Sequence, residues 1–272
     1  MQPDSTGIAI RERSLLDLLD LGLRVIRAHA WPLFATSAAG MLPFAFLNAL
    51  LLQDFASRTD YINEVPAEYI WWMICLVMWE VPLASAPATL YLGQAMFRQR
   101  PEPGRIVRDL VGSLPQLLVF HGILRGLMMP LVITWIIPHT AWPFLNEIIL
   151  LERNPMMRNK SQGLSTFRRS SALHSGTAGD QFGRFMTCLG AGVALVAGIW
   201  LTLWFIRIVM MNDRSFTRPI YTVLLPIAIW TVVGYFNVVR FLSYLDLRIR
   251  REGWEVELRM RAEGERLTRQ LA

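Results

Sequence analysis

Three ionisable residues set among apolar neighbours, Glu80, His121 and Arg125, are the side chains of this 272-residue chain best placed to do chemistry. A carboxylate, an imidazole and a guanidinium held out of water could pass a proton or an ion, because such groups are expensive there and tend to be functional. His121 and Arg125 stand four residues apart, on one face of a helix. Glu80 is the obvious counter-charge for Arg125, and a purely structural ion pair would satisfy the same pattern. Other chemistry is poorly served. His29, His121, His139 and His174 are scattered, with no acidic partners at metal-ligand spacing, so neither a metal nor a cofactor is expected. His139, between Trp135 and Trp142, reads as a solvated residue near a membrane interface. Cys75 and Cys188 each sit in an apolar run and form no disulfide framework. There is no Gly-x-Ser-x-Gly elbow, no Gly-rich phosphate loop ending in Lys-Ser or Lys-Thr, and no paired Asp within the apolar runs. No residue is nominated as catalytic, and the expectation is a protein that is not an enzyme.

A second set of charges gathers where apolar runs end: Glu147, Glu152, Arg169, Asp246, Arg248, Arg250 and Glu252. Charges at the ends of neighbouring helices can pair and fix their packing, since buried charges persist only when compensated. The functional alternative is a docking surface or a site for anionic lipid headgroups, where arginine takes phosphate in a forked geometry.

The elements that position these groups follow from hydropathy. With 53% hydrophobic residues the chain is too apolar for an ordinary soluble domain, and it carries several runs long enough to cross a bilayer. The expected fold is all-α and integral to the membrane, with spans near 31–53, 70–97, 113–137, 140–151, 185–210 and 220–245. Residues 1–30 form a polar lead and an amphipathic helix. In that helix Leu15, Leu16, Leu18, Leu19, Leu23, Val25 and Ile26 fall at helical spacing, Asp17, Asp20, Arg24 and Arg27 line the other side, and Ser14 serves as N-cap. Such a helix directly before a span is expected to lie in the membrane interface. Residues 31–247 form the membrane domain, and 248–272 a charged tail. Pro43 predicts a kink in the first span. Gly122 with Gly126, and Gly190, Ala194 and Gly198, recur at four-residue steps that suit close helix packing.

The net charge of +6 is concentrated between apolar runs. That pattern is the positive-inside bias of a bacterial inner-membrane protein rather than a nucleic-acid surface, and it puts both termini in the cytoplasm. The run 140–151 is only about half the length a straight span needs. Keeping it outside would place Arg153, Arg158, Lys160, Arg168, Arg169 and Arg184 outside as well, so a crossing by a short or broken helix buried against its neighbours is expected.

Three strings occur in order: Leu15-Leu16-Asp17-Leu18-Leu19-Asp20 with Arg24 and Arg27; Leu150-Leu151-Glu152-Arg153 followed by Arg169-Ser170-Ser171-Ala172-Leu173; and the run from Tyr244 to Glu255. Together they resemble the multi-pass membrane region found in some bacterial glycerophosphodiester phosphodiesterases and in stand-alone relatives. The resemblance implies six helices and a cytoplasmic cluster of charge. It carries no activity, because the phosphodiesterase chemistry of that family belongs to a separate catalytic domain. The function expected is a membrane-integral subunit or scaffold that meets membrane lipids, anionic headgroups and other membrane or cytoplasmic subunits, with no nucleic-acid partner. The competing expectation is a transporter of a small solute, ion or lipid that uses Glu80, His121 and Arg125.

Overall fold

A computed structural model describes residues 14–59, 65–97, 101–128, 140–156, 165–174, 178–212 and 217–252, and among these every regular element is helical. Residues 60–64, His139, Lys160, residues 129–137 of the third expected span, the lead before Ser14 and the tail beyond Glu252 lie outside the described residues.

The first helix, α1 (Leu15–Ala28), begins where the sequence predicts. The Ser14 hydroxyl accepts from the Asp17 backbone N–H at 3.2 Å and the Asp17 carboxylate accepts from the Ser14 N–H at 3.2 Å, so two donors left over by the helix start are satisfied reciprocally. Its apolar face is divided. Leu18, Gly22 and Val25 are buried, while Leu16 and Leu23 are 73% and 57% exposed on the far flank. The buried stripe meets the last helix, where Tyr235 donates its hydroxyl to the Leu19 carbonyl at 3.0 Å. A side chain at position 22 would press against Val239, and glycine leaves room for that approach.

Helices α2 (Ala30–Leu51) and α3 (Gln53–Arg58) follow, with Pro43 inside α2. The run Ala67–Met96 is divided at Ser85 into α4 (Ala67–Ala84) and α5 (Ala86–Phe97). Pro82 and Pro87 flank that break and cannot donate to the carbonyls a turn earlier. Ser85 and Thr89 fold their hydroxyls back onto the helix here: that of Ser85 donates to Pro82 O at 3.3 Å and that of Thr89 to Ser85 O at 3.1 Å. Gly40 of α2 crosses here so closely that a Cβ would collide with the Ala84 carbonyl.

Next, α6 (Pro103–Leu117) passes through a π-helical turn, Leu118–Leu124, into α7 (Arg125–Met128). The wider turn leaves carbonyls available, and Trp79 of α4 donates to those of His121 and Gly122 at 3.0 and 3.2 Å. The short run expected at 140–151 is short and broken as predicted: α8 (Leu145–Glu147) continues into a second π-helical turn, Ile148–Glu152, with Phe144 through Leu150 all buried. It ends at Arg153, whose left-handed φ of 53° stops the helix. After α9 (Thr166–His174) come two long helices: α10 (Ala178–Met211), and α11 (Leu225–Glu252) led in by a π-helical turn, Ile220–Leu224.

Five helical runs among the described residues are long and apolar enough to cross a membrane: Ala30–Leu51, Ala67–Met96, Pro103–Leu127, Gly179–Met210 and Ile220–Arg251. Five of the six spans expected from sequence overlap these runs, the third beginning earlier than expected, at Pro103, and the remaining one, 140–151, is too short to join them. Two apolar cores hold the helices together. One gathers Met41, Leu52, Tyr69, Met73, Val77, Ile220 and Trp230; the other gathers Leu18, Leu90, Ile106, Leu117, Ile148, Phe241 and Tyr244 around the broken segment. The Gly179–Met210 run is the most open of the five, with none of its apolar window buried, and it leans on the first core through Trp200 and Trp204.

Candidate functional site

Polar residues collect where α4 gives way to α5, against α2, α8 and α11. The centre is Arg240 on α11. Its Nε donates to Glu147 Oε1 at 2.7 Å, and its Nη2 donates to Ser85 Oγ at 3.0 Å and Asn237 Oδ1 at 3.1 Å. Thr89 also donates to Asn237 Oδ1, at 3.2 Å, and Asn146 Nδ2 lies 3.5 Å from Ser85 Oγ. Glu147 is wholly buried, and Ser85, Thr89, Asn146 and Asn237 are nearly so. Ser85, at the junction of α4 and α5, thus presents its hydroxyl to Arg240.

Glu80 lies about a turn and a half earlier on α4 and is 2% exposed. Its Oε2 accepts from Asn48 Nδ2 at 2.8 Å, and Asn48 is 1% exposed. Among the described residues Glu80 forms no ion pair, so the Arg125 partnership expected from sequence is replaced by an amide. The reason is angular. Successive residues on a helix are about 100° apart, and α4 presents Trp79 to the π-helical turn carrying His121 while Glu80 turns toward α2. His121 and Arg125 therefore sit against a different side of α4 from Glu80.

The second expected set divides into three clusters. Glu152 is a hub: Arg169 grips it in a fork, Nε to Oε2 at 2.6 Å and Nη2 to Oε1 at 3.0 Å, Tyr244 donates its hydroxyl at 2.7 Å, Asn154 donates at 3.0 Å, and Arg248 lies 4.0 Å away. Burial pushes the Glu152 carboxyl up, but the hydrogen bonds from Arg169 and Tyr244 and the charges of Arg169 and Arg248 outweigh it and hold the group below its ordinary range. Asp246 pairs with Arg250 at 2.7 Å and Arg184 at 3.7 Å. Glu147 belongs to the interior with Arg240. Glu252 ends α11, and its side chain lies outside the described set. Sequence reading missed a further buried carboxylate, Asp109, which pairs with Arg153 and with Arg105 at 3.7 Å.

Close to the hub, burial lowers the His174 imidazole; the bond to Ser170 O opposes that, and the Arg251 charge reinforces it. The His174 ring stacks on Phe144 with centroids 5.6 Å apart.

The glycine expectations separate. Gly126 lies 3.4 Å from Trp79 Nε1 measured from the position of an added Cβ, so it makes room for the indole, whereas a Cβ on Gly122 would meet only Leu118 of its own helix. On α10 it is Gly192 that faces a neighbour, Phe236, while Gly190 and Gly198 look into open space and Ala194 is exposed. The residues that sequence reading passed over, Asn48, Ser85, Asn146, Asn237 and Arg240, share one signal: each is a polar side chain inside an apolar run.

Among the described residues, five span-length apolar helices and a buried polar layer define the class as an all-α protein compatible with multiple membrane passes. No family model, curated protein or solved structure matches the chain.

Proposed function

We propose that this chain is a non-enzymatic, multi-pass membrane subunit or scaffold of a bacterial inner membrane, with its arginine-rich end in the cytoplasm. There it meets anionic headgroups and partner subunits. The observation that carries this reading is the division of labour among the arginines. Arg169, Arg184, Arg240 and Arg250 are spent on buried carboxylates, while Arg27, Arg108 and Arg168 are exposed and available to phosphate.

The path of the chain supports a further crossing between α7 and Arg153. From Asp109 the helical run 103–127 travels about 28 Å before Met128 at 1.5 Å per residue, yet Arg153 is back at Asp109. Pairing order adds to this: Glu147 meets Arg240, and Glu152 meets Tyr244 and Arg248, so the broken segment runs parallel to α11 toward the same end. The likeness to the membrane region of glycerophosphodiester phosphodiesterases belongs to the same proposal and brings no hydrolytic activity with it.

The test is purification of the whole chain from native membranes in mild detergent. Co-purification of a defined protein subunit, together with enrichment of anionic over zwitterionic lipid, is expected. A lone monomer with unselected lipid would overturn the reading. The transporter alternative retains one observation in its favour, the buried Glu80 without a counter-ion. Flux lost on Glu80→Gln with folding intact would favour it.

A further inference from the structure

We infer that Glu80 and Asn48 form a proton-binding site inside the helical bundle, in which Glu80 is held as the neutral acid and Asn48 is its reciprocal hydrogen-bond partner. The inference does not depend on the scaffold reading.

The geometry leaves few occupants. Asn48 Nδ2 donates to Glu80 Oε2, and that is the single bond between them. Glu80 Oε1 and Asn48 Oδ1 are both buried acceptor atoms with no donor. An ionised carboxylate offers only acceptors, so in that state both atoms stay unsatisfied and the charge stays uncompensated in an apolar run. One proton on Oε1 removes the charge and creates a donor where an amide oxygen lacks one. A carboxylic acid and a carboxamide can then face each other with each group giving one hydrogen bond and taking one. The same single particle corrects all three deficits.

Among the described residues no neighbouring element supplies a substitute charge. On α2 the residue facing Glu80 is Asn48. Along the π-helical turn and α7, His121 and Arg125 lie on the side of α4 that Trp79 addresses. From α3, Asp54 and Arg58 form no ion pair with Glu80, and Arg240 of α11 is committed to Glu147. A small alkali cation between the two oxygens is the competing occupant, because it would also satisfy both acceptors.

The test uses the full-length protein in lipid nanodiscs, free of sodium, read by infrared difference spectroscopy across pH. A protonated-carboxyl stretching band is expected to persist at neutral pH, to disappear in Glu80→Gln, and to shift in frequency in Asn48→Ala, which withdraws the partner. Glu80→Gln should keep the thermal midpoint of the parent, since the amide supplies the same donor and acceptor without a proton. If Glu80→Gln does not fold, the band shift in Asn48→Ala and its sensitivity to D2O carry the test alone. Absence at neutral pH of any band that either variant moves would overturn the proposal. So would a rise in thermal midpoint with added Na+ or Li+ that Glu80→Gln abolishes, which would assign the site to a cation.

Discussion

Glu147 Oε1 and Arg240 Nε lie 2.7 Å apart, and the carboxylate is fully buried. This pair ties the short broken segment to the longest stretch of the last helix. Removing one partner leaves a charge with no compensation, which costs about 3–5 kcal/mol when the site is buried. Glu147→Leu and Arg240→Met should each lower thermal stability in detergent by an amount in that range. The double variant should lose clearly less than the sum, because neither charge is then stranded. Additive losses would show that the pair does not act as a unit.

Glu152 makes stability depend on acid. Its carboxyl is held below the ordinary glutamate value near 4.5, so its contribution is present above that value and is lost as pH falls through the lower, folded value. The thermal midpoint should therefore fall on acidification. Glu152→Gln, weaker at neutral pH, should show a shallower acid limb. Tyr244→Phe removes one of the hub's hydrogen bonds and should cost on the order of 1–2 kcal/mol, with the limb retained. Midpoints measured from neutral pH to about pH 3 check both.

Gly40 and Gly190 should respond in opposite ways to enlargement. An alanine at 40 drives its Cβ into the Ala84 backbone, and α2 has to move away from the α4 and α5 break. Overpacking of that kind costs about 1–3 kcal/mol. Gly190→Leu and Gly198→Leu enter open space and should leave the midpoint of the isolated chain nearly unchanged. If a partner helix uses that face of α10, the same two variants should abolish its co-purification. Retention of the partner would place the contact elsewhere.

Topology has a direct readout. A cysteine in place of Ser161, in a background with Cys75 and Cys188 replaced, should resist a membrane-impermeant thiol reagent in intact cells and react after lysis. Labelling from outside would reverse the proposed orientation and remove the cytoplasmic face on which the functional reading rests.

Much of the architecture was legible in the linear chain because a bilayer imposes a one-dimensional rule: runs of about 20 apolar residues become helices, whatever they pack against. The N-cap at Ser14 and the short, interrupted character of 140–151 are local in the same sense, since they depend on residues a few positions apart. The membership of the charged end was partly legible too. Glu152 with Arg169, and Asp246 with Arg250, belong to the set that charge density at helix ends picks out.

Partnership was decided only in three dimensions. Whether Glu80 meets Arg125 or Asn48 depends on the rotation of α4 about its axis, and hydropathy is almost blind to that when all sides of a helix are apolar. Arg240 reads in sequence as one charge in a span. It becomes the centre of the buried layer because the break at Ser85 and the parallel lie of Glu147 bring a hydroxyl and a carboxylate to it from segments far away in the chain. Composition specified which residues leave water, and the packing angles of the helices decided which of them compensate one another.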